Sequence, residues 1–301
     1  MRKIYKILFN VSMALVILST LALVAYGLTF GVDFRGGSVT ELTFIERPTN
    51  DDLIKVLQLS QIGIVKDASI TPVGSKDFII KTDELSEKDH QALLAAINKA
   101  FPLSGMSEKQ FDSVGPLIGN ELKQKSLTAI IVVLLAISIY IAFVFRKLGG
   151  ALSPWIMGVA AIIALIHDLI IPMGVFAWLG HYRGVEISAV FVAALLTILG
   201  YSISDSVVVF DRVRENLIKG GSREPFEEIV HRSIKQTLVR SINTNITTLL
   251  ALVAIFFFGG ESVRYFSLAL IIGIVMGAFS SISVASPLLI WWSRRRTQAK
   301  I

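Results

Sequence analysis

Apolar residues dominate six long stretches of this 301-residue chain: roughly Ile7 to Phe30, Leu127 to Phe145, Leu152 to Leu179, Ile187 to Phe210, Ile242 to Phe258 and Tyr265 to Trp292. A helix needs about 20 such residues to cross the ~30 Å hydrocarbon layer of a bilayer. The pattern therefore predicts six spans, of which the fifth is the shortest. Between the first two, residues 31–125 change to the alternation and turn signals of a small soluble domain. Val39 to Phe44 alternates as a strand does, and Thr49 to Asp52 opens a helix. Ala68 to Val73 and Phe78 to Thr82 read as two strands, Ser86 to Phe101 as a second helix, and a last strand leads into Phe111–Pro116. This βαββαβ order is the ferredoxin-like pattern. His90, the domain's lone histidine, falls at an exposed-looking helix start.

Charge orients these elements. Of the 29 basic residues, 16 lie at the N-terminus, at Arg146–Lys147, in 211–240 and in the tail from Arg294 onward. The opposite short loops carry Arg183 and Arg264 only. Positive residues mark the cytoplasmic side, so both termini are expected there and the small domain outside. Its 14 acids outnumber its 11 bases, so the net charge of +6 follows from topology and does not point to nucleic acid. The expected division is 1–30 cytoplasmic N-terminus and first span, 31–125 outer domain and joints, and 126–210 spans two to four. After it come 211–240, a cytoplasmic loop whose amphipathic helix is capped at Ser222, then 241–293 spans five and six, and 294–301 a basic tail. The first span starts like a signal peptide but is too long for one, and reads as a retained anchor. With no cysteine, disulfides and thiolate metal sites are excluded.

The chemistry sits where the apolar pattern breaks. Asp205 lies inside the fourth stretch, where an aspartate costs roughly 2.5–3.5 kcal/mol and persists only beside a partner or a wet cavity. Thr197, Tyr201 and Asp205 recur every four residues, with Arg212 seven further on. A second polar row, Arg240, Asn243, Thr244, Thr247 and Thr248, leads into the fifth stretch. These rows predict that Asp205 faces Arg240, either as a static lock between helices or as part of a hydrated path. His167 and Asp168 interrupt the third stretch and offer a proton relay, or a bond to a neighbouring helix. From rise per residue, the apolar boundaries put Asp168 about 24 Å into its helix and Asp205 about 10 Å from the end of its own. That would place them at different depths, which opposes an aspartyl-protease dyad needing two adjacent carboxyls. Gly31, Asp33, Arg35, Gly36 and Gly37 form a turn that could grip a ligand but reads better as a structural joint, with Gly115 and Pro116 as a second joint. Ala269, Gly273, Gly277, Ser281 and Ala285 form a small-residue seam suited to close helix packing.

The run Gly200-Tyr-Ser-Ile-Ser-Asp-Ser-Val-Val-Val-Phe-Asp-Arg-Val-Arg-Glu-Asn216 resembles the signature of the SecF family within the SecD/SecF protein-export system. Gly31 to Gly37, Ser113 to Pro116, His167-Asp168 and Arg240 to Thr244 are similar to further motifs of that family, in family order. Ser204 and Ser241 depart from it without removing a titratable group. The resemblance implies half of an RND-type bundle, six spans and one periplasmic domain, in the bacterial inner membrane. It implies a SecD heterodimer beside the SecYEG channel, with YajC and YidC as further candidate partners and an unfolded preprotein as substrate. It also implies no cofactor other than protons, and a proton path through Asp205 and Arg240. On this reading, protonating Asp205 loosens its hold on Arg240 and the glycine joints carry the motion outward. The alternatives are a small-solute exporter half, the aspartyl protease and a passive scaffold, and the chain is read as a transport subunit and not an enzyme.

Overall fold

The computed structural model describes residues 3–59, 68–146, 154–220 and 224–298. The Ser222 cap, Lys147 and Lys300 lie outside the described residues. The chain divides into two compact units, residues 1–29 with 128–301, and residues 30–127.

In the smaller unit a helical turn, Val32–Arg35, leads directly into β1 (Gly37–Thr43). After β1 come a helix Asn50–Leu59, β2 (Ser69–Val73), β3 (Asp77–Thr82), a helix Glu87–Ala100 and β4 (Ser107–Val114). The four strands form one antiparallel sheet in the order β2-β3-β1-β4. This is the ferredoxin-like arrangement, and both helices start where the sequence puts a cap. Thr49 Oγ1 accepts from the amide of Asp52, and Ser86 accepts from that of Asp89. Leu42, Phe44, Phe78 and Ile80 from the sheet close a core with Leu53, Leu57, Leu93 and Ile97 from the helices. His90 belongs to this inner face and is 3% exposed, contrary to the expected exposed start. It shares a helix stripe with Leu93 and Ile97, stacks on Phe111 at 3.6 Å and meets Glu108 at 2.8 Å.

The Gly31–Gly37 segment is tighter than a simple turn. Phe34 and Arg35 amides both bond to the Gly31 carbonyl, winding Val32–Arg35 into one helical turn. Gly31 itself is extended, whereas Gly36 and Gly37 have φ of +83° and +131°. A Cβ on Gly36 would lie 2.7 Å from the Cα of Pro116, and one on Gly119 would lie 3.0 Å from the Gly36 nitrogen. The two predicted joints thus pack on each other, backbone against backbone.

The larger unit is helical, and among the described residues six helices are long and apolar enough to cross a membrane. We number these long helices in chain order: α1 (Lys3–Tyr26), α2 (Pro116–Val144), α3 (Pro154–Arg183), α4 (Ala189–Gly220) and α5 (Phe226–Phe258). The last span begins as α6 (Glu261–Ser280), passes through a π segment, Ser281–Ala285, and ends as α7 (Ser286–Gln298). Pro287 accounts for the break, since it has no N–H to return to the preceding turn. The amide of Ser286 bonds instead to the Ser281 carbonyl five residues back. α4 and α5 run well past their apolar stretches, and α5 joins the expected amphipathic helix to the fifth span without interruption. At that end Tyr5, Val209, Val213, Val230, Ile234 and Ile290 form a buried cluster. Tyr5 also bonds His231 at 2.7 Å.

Candidate functional site

The site is built on α4, which presents three neighbouring faces to α3, α5 and α6. Its close approach to α6 depends on the small-residue seam. A methyl on Gly273 would lie 2.2 Å from Ile198 Cδ1, and one on Gly277 would lie 2.9 Å from Ser202 Cβ. At this separation short polar side chains can bridge helices.

Asp205 is 7% exposed. Its carboxylate accepts a 2.8 Å hydrogen bond from Asn245 Nδ2, which also donates to the Ser241 carbonyl at 2.7 Å. The expected ion pair with Arg240 is therefore not formed. Among the described residues no carboxylate lies within ion-pair distance of Arg240. The reason is helix phase: the buried row of α5 runs Ser233, Thr237, Ser241, Asn245, every fourth residue. Arg240 is one residue, or about 100°, off that row and exposed. It lines a pocket of about 240 Å³ with Val207, Val208, Asp211, Arg212, Gln236 and Thr237. Arg212, expected on the Asp205 stripe, pairs with Glu215 at 2.6 Å.

The rest of the predicted rows line the surface beside Asp205. Thr197, Gly200, Tyr201, Ser204 and Thr244 enclose a second pocket of about 270 Å³ with Asp205 at its wall. The Tyr201 hydroxyl donates to the Thr244 carbonyl at 3.0 Å and lies 2.9 Å from Thr248 Oγ1. Thr244 and Thr247 turn their hydroxyls back onto carbonyls of their own helix, and Asn243 is exposed. Thr197, Gly200, Ser204, Arg240, Asn243, Thr244 and Thr247 thus form an outward-facing polar band on two helices long enough to cross a membrane.

Asp168 is deeper still, at 0% exposed; it accepts from Ser202 Oγ at 2.5 Å and Ser280 Oγ at 2.7 Å and shares a 2.8 Å hydrogen bond with His167 Nδ1. The expected separation in depth from Asp205 is not seen. Ser202 precedes Asp205 by three residues, so the two acids are about one helical turn apart in height. The reason is that α4 does not end with its apolar stretch near Phe210 but continues to Gly220. No hydrogen bond joins the two carboxyls among the described residues, and Asp168 is held by three other partners. That is not the shared-proton geometry of an aspartyl protease.

Asn245, Ser202 and Ser280 escaped sequence reasoning. Only the four-residue recurrence of small polar residues in 233–245 could have flagged Asn245.

Comparison with known proteins agrees with this architecture. Residues 94–295 match the model described as "Protein export membrane protein SecD/SecF, C-terminal", and residues 21–44 match the SecD/SecF GG motif. The latter contains the Gly31–Gly37 turn. A protein translocase subunit SecF from Thermobaculum terrenum is 40% identical, covering 95% of this chain and 92% of that protein. The SecF of Anaerolinea thermophila is 35% identical over 94% and 91%. The crystal structure of SecDF from Thermus thermophilus, titled a translocon-associated membrane protein, superposes with a TM-score of 0.80 at 35% identity. That match covers 97% of this chain and 38% of the longer SecDF chain. Motifs, bundle and small domain coincide along almost the whole length, and the chain belongs to the SecD/SecF family of protein-export membrane proteins.

Proposed function

We propose that this chain is the SecF-type subunit of a protein translocase in a bacterial inner membrane, with both termini cytoplasmic and the small domain periplasmic. Paired with SecD beside the SecYEG channel, it uses the proton-motive force to assist export and release of preproteins. Family membership and the naming of its relatives support the export role. YajC and YidC remain candidate neighbours by the same resemblance.

The observation that carries the proton-coupled reading is the neutral partner of Asp205. A carboxylate held by an amide and bordering a cavity can gain and lose a proton without breaking an ion pair. A static lock would have used Arg240. Asp205 takes the proton, Asn245 positions it, and Tyr201, Thr244 and Thr247 line the approach. Arg240 and Asn243 belong to the outward polar band, which cannot face lipid without cost. SecD covering that band would meet Arg240 with an acid of its own.

The coupling energy is adequate. A proton crossing about 150 mV releases roughly 3.5 kcal/mol, enough to shift a two-state equilibrium a few hundredfold. Asp205→Asn, purified with its native partners, should assemble normally and lose the stimulation of export by a proton gradient. Undiminished stimulation in that variant would sink the proposal.

A further inference from the structure

The Asp168 cluster is not part of the Asp205 cavity, and its charge balance is unusual. Between Lys6 and Tyr26 of α1, and between Tyr265 and Arg294 of the last span, the sequence holds no titratable side chain. α3 contributes only His167 and Asp168 between Trp155 and His181, and α4 only Tyr201 and Asp205 before Asp211. Ser202 of α4 and Ser280 of α6 meet Asp168 with hydroxyls, α1 and the π segment bring no titratable group to α3, and among the described residues no fixed cation pairs with it. Neutrality here requires a proton, on the carboxyl or on the His167 ring. His167 is 4% exposed and its Nε2 is buried without a hydrogen-bond partner. That nitrogen is an unsatisfied group, in keeping with a site that holds a mobile proton.

The geometry also supplies a readout. Ser280 donates to Asp168 at 2.7 Å but has a second acceptor, the Gly277 carbonyl, at 3.1 Å. An ionised carboxylate is acceptor-only and holds the hydroxyl, while a protonated one surrenders accepting capacity and lets it turn to its own helix. Ser280 immediately precedes the π segment, and π bulges are recurrent points of helix adjustment. From within that segment Ser283 bonds Ser12 of α1 at 2.7 Å, so a shift there reaches a second helix.

We propose that His167 and Asp168 form a second buried proton-binding site, separate from Asp205, whose occupancy is read by Ser280 and the π segment. Its use in export rests on the translocase reading above, but its existence does not.

Infrared difference spectra of the full-length chain, in lipid with its native partners, test it across a pH series. A protonated buried carboxyl should give a carbonyl band that Asp168→Asn removes and Asp205→Asn retains, with uptake reduced by one proton per chain in Asp168→Asn. Ser280→Ala, which keeps the carboxyl and removes one donor, should shift that band. If the wild type shows neither a carboxyl band sensitive to Ser280→Ala nor an imidazolium band that His167→Gln removes, at any pH at which the complex stays assembled, the pair binds no proton and the proposal fails. These spectra are read without export, so normal gradient-driven export in Asp205→Asn would overturn the translocase mechanism alone.

Discussion

Gly36→Ala is the sharpest test of whether the glycine turn is a packed joint. Gly36 adopts φ +83°, ψ 161°, a region open essentially only to glycine, and forcing alanine there costs about 1–3 kcal/mol. The new methyl would also sit 2.7 Å from Pro116 Cα and 2.8 Å from its nitrogen, both backbone atoms with little freedom to yield. Overpacking of this kind costs about 1–3 kcal/mol more. The expected total is about 2–6 kcal/mol, the sum of these two ranges. Gly74→Ala is the control, with φ +55° and nothing within 4 Å of the new methyl. It should cost only about 1–2 kcal/mol, from the left-handed backbone alone. Amide exchange of β1 and β4 in the intact protein measures both. If Gly36→Ala opens these strands no more than Gly74→Ala does, the backbone contact with Pro116 is not a constraint. A turn built to grip a ligand would instead show normal exchange and lost activity.

Asn245→Ala removes a charge-assisted hydrogen bond worth about 1.5–3 kcal/mol and should lower gradient-driven export about tenfold or more. Export equal to wild type would show that Asp205 draws nothing from α5. Gly273→Val should destabilise the helical unit by about 1–3 kcal/mol through overlap with Ile198, read as thermal unfolding in detergent. Gly158→Ala, whose nearest contacts are at 3.6 Å, should be neutral or better. In the small unit, Lys109 donating to Asp77 at 2.6 Å, helped by Thr43, holds the Asp77 carboxyl below its ordinary value. Its contribution to stability is complete above the ordinary carboxylate value and is lost as pH falls through the lowered one. The protection of β3 amides, taken relative to their intrinsic exchange rates, should therefore fall in acid, and Asp77→Asn should weaken that dependence.

Local pattern determined much of this protein. Apolar stretches long enough for a bilayer mark the six spans, caps at Thr49 and Ser86 start the helices of the small unit, and alternation marks its strands. The seam at Gly273 and Gly277 was also legible, because four-residue recurrence maps directly onto one helix face. What required the tertiary structure was the rotation and offset of one helix against another. Arg240 and Asn245 both lie in a polar stretch of α5, and about 100° of phase per residue separates an exposed side chain from one that touches Asp205. The heights of Asp168 and Asp205 depended on where helices end, which the apolar boundaries do not report. His90 followed the same rule, since its burial depends on which side of its helix meets the sheet. Composition and periodicity act within a segment, whereas partners across a helix interface are chosen by packing between segments remote in the chain.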